Sequence, residues 1–262
     1  MREALVVGNW KMNGTQESVR SLVLEIIKQE QEQEQKQLQS KPCNAVVCPP
    51  FVFLSQVDEL RKDSNLQMGA QNLDWHEMGA FTGEISAEML VELNCQYSIV
   101  GHSERRSVYR ESDNEVASKF AACIKAGIKP ILCLGETLEE RLAEQTEQIV
   151  ARQLVAVLEA VGIGGFGDAV IAYEPVWAIG TGETATPAQA EALHGFIRSR
   201  LAESDLNISE NIQILYGGSV NEKNAAELFA MQNIDGALVG GASLNAKAFM
   251  SICGFAQIAL SS

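Results

Sequence analysis

Glu174 stands directly before Pro175, and an apolar stretch follows: Val176, Trp177, Ala178 and Ile179, closed by Gly180 and Gly182. The proline removes a backbone N–H and biases Glu174 towards extended geometry. A Trp-Ala-Ile loop makes little sense unless it closes over something. It therefore reads as a lid hinged at Pro175 and at the glycines. A carboxylate under such a lid loses water and becomes a stronger base for carbon acids. The plain alternative is a solvated glutamate on a surface loop.

Three histidines occur. His194 sits beside Leu193 at helical spacing to Ile197 and reads as a packed or surface residue; His76 lies in a polar loop and is expected to be exposed. His102 differs, because it follows Ile99-Val100-Gly101 and precedes Ser103-Glu104-Arg105-Arg106, which looks like a helix opening. The positive end of a helix disfavours a charged imidazole. A neutral His102 that donates a hydrogen bond to a substrate oxygen is the expectation.

Asn9 and Lys11 close another apolar run, and alternate residues of a strand point the same way, so a carboxamide and an ammonium are expected side by side. Gly217-Gly218-Ser219 and Gly240-Gly241-Ala242-Ser243 are two glycine turns, each between a strand-like run and a helix-like one. Glycine lets backbone N–H groups approach a ligand closely, and a helix N-terminus adds about half a positive charge. Together they read as an anion cradle, although each alone would serve as an ordinary tight turn.

These residues need a frame that brings them to one place. Eight short apolar runs recur: Ala4–Val7, Ala45–Cys48, Leu66–Gly69, Tyr97–Val100, Pro130–Leu134, Ala169–Tyr173, Ile212–Tyr216 and Ala237–Val239. Continuous rather than alternating apolar runs mark strands buried on both faces. Helical patterns lie between them: Ser18–Gln39, Asp113–Ala126 ending at Gly127, Leu138–Ala160 ending near Gly162, one capped by Thr186 with Pro187 behind it, Asn221–Ala230 and Ala246–Ala259. This α/β alternation fits a closed (β/α)8 barrel of eight parallel strands with outer helices better than an open doubly wound sheet. Barrels of this kind run to about 250 residues, so residues 1–262 are expected to form a single domain. Their active sites lie at the C-terminal strand ends, where all the residues above fall.

The formal net charge of −14 argues against nucleic acid as a partner. It also makes local backbone donors and Lys11 the means of holding an anion, since distant charges are screened. No run approaches the length of a membrane span, and the N-terminus has no secretory pattern. Six cysteines, at Cys43, Cys48, Cys95, Cys123, Cys133 and Cys253, show neither a CxxC pair nor metal-ligand spacing. They are expected to be free thiols in a reducing cytoplasm, with no metal and no cofactor. The tract from Gln29 to Gln37 reads as a solvated helix extension.

The chain resembles the triosephosphate isomerases. The resemblance rests on Gly8-Asn9-Trp10-Lys11-Met12-Asn13-Gly14, Ala70-Gln71-Asn72, Gly79-Ala80-Phe81-Thr82-Gly83-Glu84, Gly101-His102-Ser103-Glu104-Arg105-Arg106, Ala172–Gly182 and Tyr216-Gly217-Gly218-Ser219-Val220, in order along the chain. It implies a TIM barrel that interconverts dihydroxyacetone phosphate and D-glyceraldehyde 3-phosphate through an enediol, in glycolysis and gluconeogenesis. It further implies that Glu174 moves the proton between carbons and His102 polarises the carbonyl. Asn9 and Lys11 would stabilise the enediolate, with Glu104 supporting them from behind. Gly180, Ser219, Gly240 and Gly241 would bind the phosphate, and Cys133 would be a packing neighbour of the base. A homodimer is implied as well, with the loop Gln71–Glu84 entering the partner and Thr82 reaching towards its site. One departure is Glu183 in the closing hinge, where many relatives carry lysine. A sugar-phosphate aldolase or epimerase, or a non-catalytic phosphate-binding scaffold, are the alternatives.

Overall fold

In the computed structural model the described residues are 2–36, 43–179 and 184–261. The eight strands are β1 Leu5–Asn9, β2 Asn44–Cys48, β3 Gln67–Ala70, β4 Tyr97–Val100, β5 Lys129–Leu134, β6 Val170–Tyr173, β7 Gln213–Tyr216 and β8 Gly236–Val239. All are parallel and pair in chain order, and β8 returns to β1 to close the barrel. Each apolar run became a strand. The strands begin a residue or so from the expected points, with Asn44, Gln67, Lys129 and Gln213 at the N-terminal rim.

The interior holds Leu5, Val7, Val46, Tyr97, Ile99, Ile131, Val170, Ala172, Leu215 and Leu238. The intervening residues, such as Val6, Ala45, Val47 and Ile171, face outward into the layer of helices. Both faces of every strand are therefore dry, which is why the sequence shows unbroken apolar runs.

The helices are α1 Gln16–Lys36, α2 Leu54–Arg61, α3 Ala87–Glu92, α4 Ser103–Val108, α5 Asp113–Ala126, α6 Leu138–Leu142, α7 Thr146–Val161, α8 Pro187–Ala202, α9 Leu206–Asn211, α10 Ala225–Phe229 and α11 Ala246–Ser261. α5 has the expected bounds, with a Ser112 capping box at its start and Gly127 left-handed at its end. α8 opens on the expected Thr186 cap with proline behind it. Two expected helices differ. The stretch Leu138–Ala160 is broken into α6 and α7, because Glu144 takes a left-handed φ of 57°. The stretch Asn221–Ala230 is helical only from Ala225. The expected end of the first helix, and the end of the Gln/Glu tract at Gln37, lie outside the described residues.

A buried carboxylate joins the chain ends at the floor of the barrel. Asp235 takes Arg2 Nε at 2.5 Å, Arg198 Nη2 at 2.9 Å and the backbone N–H of Ile214 at 2.8 Å. No helix among the described residues is long and apolar enough to cross a membrane.

Candidate active site

β1 delivers Asn9 to the C-terminal mouth, but Lys11 lies beyond the strand. Strand alternation, the expected reason for their pairing, therefore does not bring the two together. Lys11 turns back with a left-handed φ of 52°, and its N–H donates to Asn9 Oδ1 at 3.0 Å. Gln71, just past β3, holds this turn by donating to the carbonyls of Lys11 at 2.8 Å and Cys48 at 2.9 Å. The Lys11 ammonium reaches across the mouth to Glu104 Oε1 at 2.5 Å.

β4 delivers His102, which is the N-cap of α4. Its Nδ1 accepts from the N–H of Glu104 at 3.2 Å. An accepting ring nitrogen carries no proton, so the proton of this ring sits on Nε2. Nε2 lies 3.0 Å from Glu174 Oε1.

β6 delivers Glu174, only 1% exposed. Its backbone N–H donates to Leu134 O at 2.7 Å. Its Oε2 accepts from the N–H of Ser103 at 2.8 Å. Oε1 lies off the line of the imidazole N–H, and it is a buried oxygen without a hydrogen-bond partner. A carboxylate oxygen with a free lone pair in a dry site is suited to take a proton from carbon. Cys133 lies beside it, and burial, with the Glu174 charge second, pushes its thiol well above the ordinary range. Such a thiol is a packing group and not a nucleophile.

Opposite these side chains stand the glycine turns. One cavity of about 340 Å3 is lined by Asn9, Lys11, His102, Glu174, Ile179, Ser219, Gly240 and Gly241. Ser219 Oγ donates to Ala178 O at 2.9 Å. Gly217 is required by space: a Cβ there would fall 2.8 Å from Glu174 Cγ. The source of the cradle's positive potential differs from the expectation. After β7 no regular helix starts before Ala225, and after β8 a 3-10 turn, Gly241–Leu244, comes before α11. The N–H groups at Gly240 and Gly241 and at Ser219 therefore belong to loop and 3-10 turns rather than to the ends of long helices.

The first part of the expected lid, Val176–Ala178, is one 3-10 turn packed against the barrel rim. Ala178 is buried, while Val176, Trp177 and Ile179 are half-buried. Glu136, which follows β5, anchors it: its backbone carbonyl accepts from Val176 N at 3.1 Å and its Oε1 from Trp177 Nε1 at 2.9 Å. The Arg141 guanidinium covers the Trp177 ring at 4.4 Å. Glu136 is wholly buried, and that burial raises its carboxyl pKa against the opposing hydrogen bonds from Trp177, from its own backbone N–H and from Tyr173. Gly180, Gly182 and Glu183 lie outside the described residues.

Asn9, Lys11, His102, Glu104, Glu174, Ser219, Gly240 and Gly241 thus meet at one mouth. Sequence reasoning missed Gln71, Glu136 and the N–H of Ser103. The first two carry a weak signal, a polar residue just after a strand; a backbone donor carries none. His194 is buried between the Tyr173 and Tyr216 rings and is packed, as expected. His76 is half-buried rather than exposed. It stacks on Phe81 with centroids 3.7 Å apart and pairs with Asp74 at 2.7 Å.

A sequence model of the family described as triosephosphate isomerase matches residues 4–256. The chain is 53% identical over 253 residues to a triosephosphate isomerase of Nitrosococcus oceani, covering 97% of this chain and 98% of that protein. It is 51% identical to one from Dechloromonas aromatica over the same shares of each chain. It is 50% identical over 259 residues to one from Salmonella paratyphi B, covering 99% of both.

Proposed function

The chain belongs to the triosephosphate isomerase family, and from that premise we infer that it interconverts dihydroxyacetone phosphate and D-glyceraldehyde 3-phosphate. The observation that carries this reading is the 3.0 Å approach of His102 Nε2 to Glu174 Oε1 inside a cavity whose far wall is two glycine turns. A base and a donor this close can act on adjacent atoms of one small molecule.

The phosphate is held by N–H groups of the turns at Ser219 and at Gly240 and Gly241, which places the carbon skeleton between the two side chains. Gly180 is assigned a further N–H by family resemblance. Glu174 removes a proton from the hydroxyl-bearing carbon. His102 donates its Nε2 hydrogen bond to the carbonyl oxygen as that oxygen gains charge, and Lys11 with Asn9 stabilises the resulting enediolate. The proton returns from Glu174 to the neighbouring carbon while His102 passes the hydroxyl proton from one oxygen to the other, so atoms balance without any added group. Glu104 supports Lys11 and His102. The turn at Val176–Ala178 covers the base and limits water, which protects the enediolate from losing phosphate.

Three wider expectations belong to the same proposal. The chain acts as one domain in the cytoplasm, on the triose step of glycolysis and gluconeogenesis. It pairs with a second copy through the loop Gln71–Glu84. In support of pairing, Met78 in that loop is 84% exposed and Met12, at the mouth, is 95% exposed. Large apolar side chains this exposed are suited to a contact surface.

A coupled assay that detects D-glyceraldehyde 3-phosphate formed from dihydroxyacetone phosphate tests the function. Glu174→Gln should lower kcat by about a thousandfold or more while inorganic phosphate inhibits as before. Phosphate binding with no turnover in the parent chain would instead indicate a binding scaffold.

A further inference from the structure

Behind Glu174 lies a second cavity of about 410 Å3, whose walls include Cys133, Gly135, Gln153, Glu174 and Val176. On that side the base is not backed by close-packed side chains. Its backbone rests instead on the end of β5. Glu174 N–H donates to Leu134 O, and Gly135 lies so close that a Cβ on it would fall 1.8 Å from the Glu174 carbonyl oxygen.

Gly135 is itself held by one side chain. Gln153 of α7 is 4% exposed; its Oε1 accepts from Gly135 N at 2.8 Å and its Nε2 donates to Gly135 O at 3.0 Å. The N–H belongs to the peptide plane before Gly135 and the carbonyl to the plane after it. A single amide therefore fixes both planes. The first plane carries the Leu134 oxygen that receives Glu174 N–H. The second leads into Glu136, which anchors Val176 and Trp177.

We propose that Gln153 is a positioning residue for the isomerisation: by clamping Gly135 it sets the shelf on which Glu174 and the first turn of the lid stand. This rests on the functional reading above. Gln153 does not reach the reacting atoms and acts through Gly135.

The test uses the full chain and three variants: Gln153→Leu, Gln153→Asn and Gln153→Glu. Turnover by the parent chain in the same assay separates a failure of the functional reading from a failure of this one. Gln153→Leu should lower kcat about ten- to a hundredfold with KM changed by less than about threefold, as expected for a shift of the base by a fraction of an ångström. A phosphorylated hydroxamate that mimics the enediolate should lose affinity by the same factor, while inhibition by inorganic phosphate stays unchanged. Gln153→Glu adds a readout that a purely structural role would not move. Its carboxylate accepts from Gly135 N–H but repels Gly135 O, whereas its protonated form can donate to that oxygen. The ratio of variant to parent kcat should therefore rise as pH falls through the titration of the new carboxyl.

If Gln153→Leu does not fold, Gln153→Asn, one methylene shorter, and Gln153→Glu give the same comparison. The proposal is overturned if a folded variant keeps kcat within about twofold of the parent despite a lower Tm. A flat pH ratio for Gln153→Glu, or equal losses of hydroxamate and phosphate binding, would overturn it as well.

Discussion

The ammonium nitrogen of Lys11 stands 2.5 Å from Oε1 of Glu104, a residue 93 positions away. The backbone N–H of that same Glu104 donates to His102 Nδ1. One residue of α4 thus holds the cation of the site with its side chain and orients the imidazole with its main chain.

Replacing Glu104 by Gln removes only the first of these links. A charge-assisted hydrogen bond contributes about 1.5–3 kcal/mol, and a rate falls tenfold for roughly each 1.4 kcal/mol. Since both side chains of the pair are partly exposed, the lower end applies. We expect kcat to fall about tenfold, with the His102 ring keeping its Nε2 proton in a nitrogen NMR spectrum. A change of tautomer would show that the carboxylate, and not the backbone, orients the ring.

Gly217→Ala tests the space around the base. The added methyl carbon would stand 2.8 Å from Glu174 Cγ and 3.0 Å from Tyr173 O. The backbone oxygen is fixed by the barrel, so the glutamate must give way. The expected result is a loss in kcat of about tenfold or more, with stability lower by about 1–3 kcal/mol in urea melts. Unchanged kcat would mean that Glu174 adapts freely, and the importance given to its fixed position would be lost.

His194 gives a pH dependence that is independent of the active site. Burial is the main reason its pKa falls to about 4, from an ordinary 6.5. The native state keeps the ring neutral while the unfolded chain takes up a proton below about pH 6.5. Its contribution to stability is therefore complete above pH 6.5 and is lost as the pH falls towards 4. Between pH 7.5 and 4.5 the loss is about 2–3 kcal/mol. In urea titrations at those two pH values, His194→Gln should lose less stability than the parent by about that amount. Equal losses would assign the acid sensitivity to other groups.

The sequence disclosed the frame well, for a physical reason. A strand dry on both faces is apolar at nearly every position, and runs such as Ala45–Cys48 and Val170–Tyr173 have no polar break. What sat at the strand ends was legible too, because Asn9, His102 and Glu174 each interrupt an apolar context. The less visible features are conformational. Glu144 and Lys11 adopt left-handed backbone without being glycine, so the break between α6 and α7 and the fold-back of Lys11 had no residue to announce them. The contacts of Ser103 N–H with Glu174 and of Gln153 with Gly135 join main chain to side chain, and main-chain groups are the same at every position.

The seam between β1 and β8, with Arg2 tied to Asp235 below it, has a consequence for how the protein comes into being. On the ribosome the first strand is made early but has to wait for its second neighbour until Gly236–Val239 has emerged. During that wait the outer edges of β1 and β7 are open, and open edges recruit strands from other chains. The turn at Gly240 and Gly241, which faces Lys11, arrives later still. A nascent chain therefore carries Glu174 and His102 well before the turn proposed to hold the anion exists, and the proposed site is whole only after β8 and that turn have emerged.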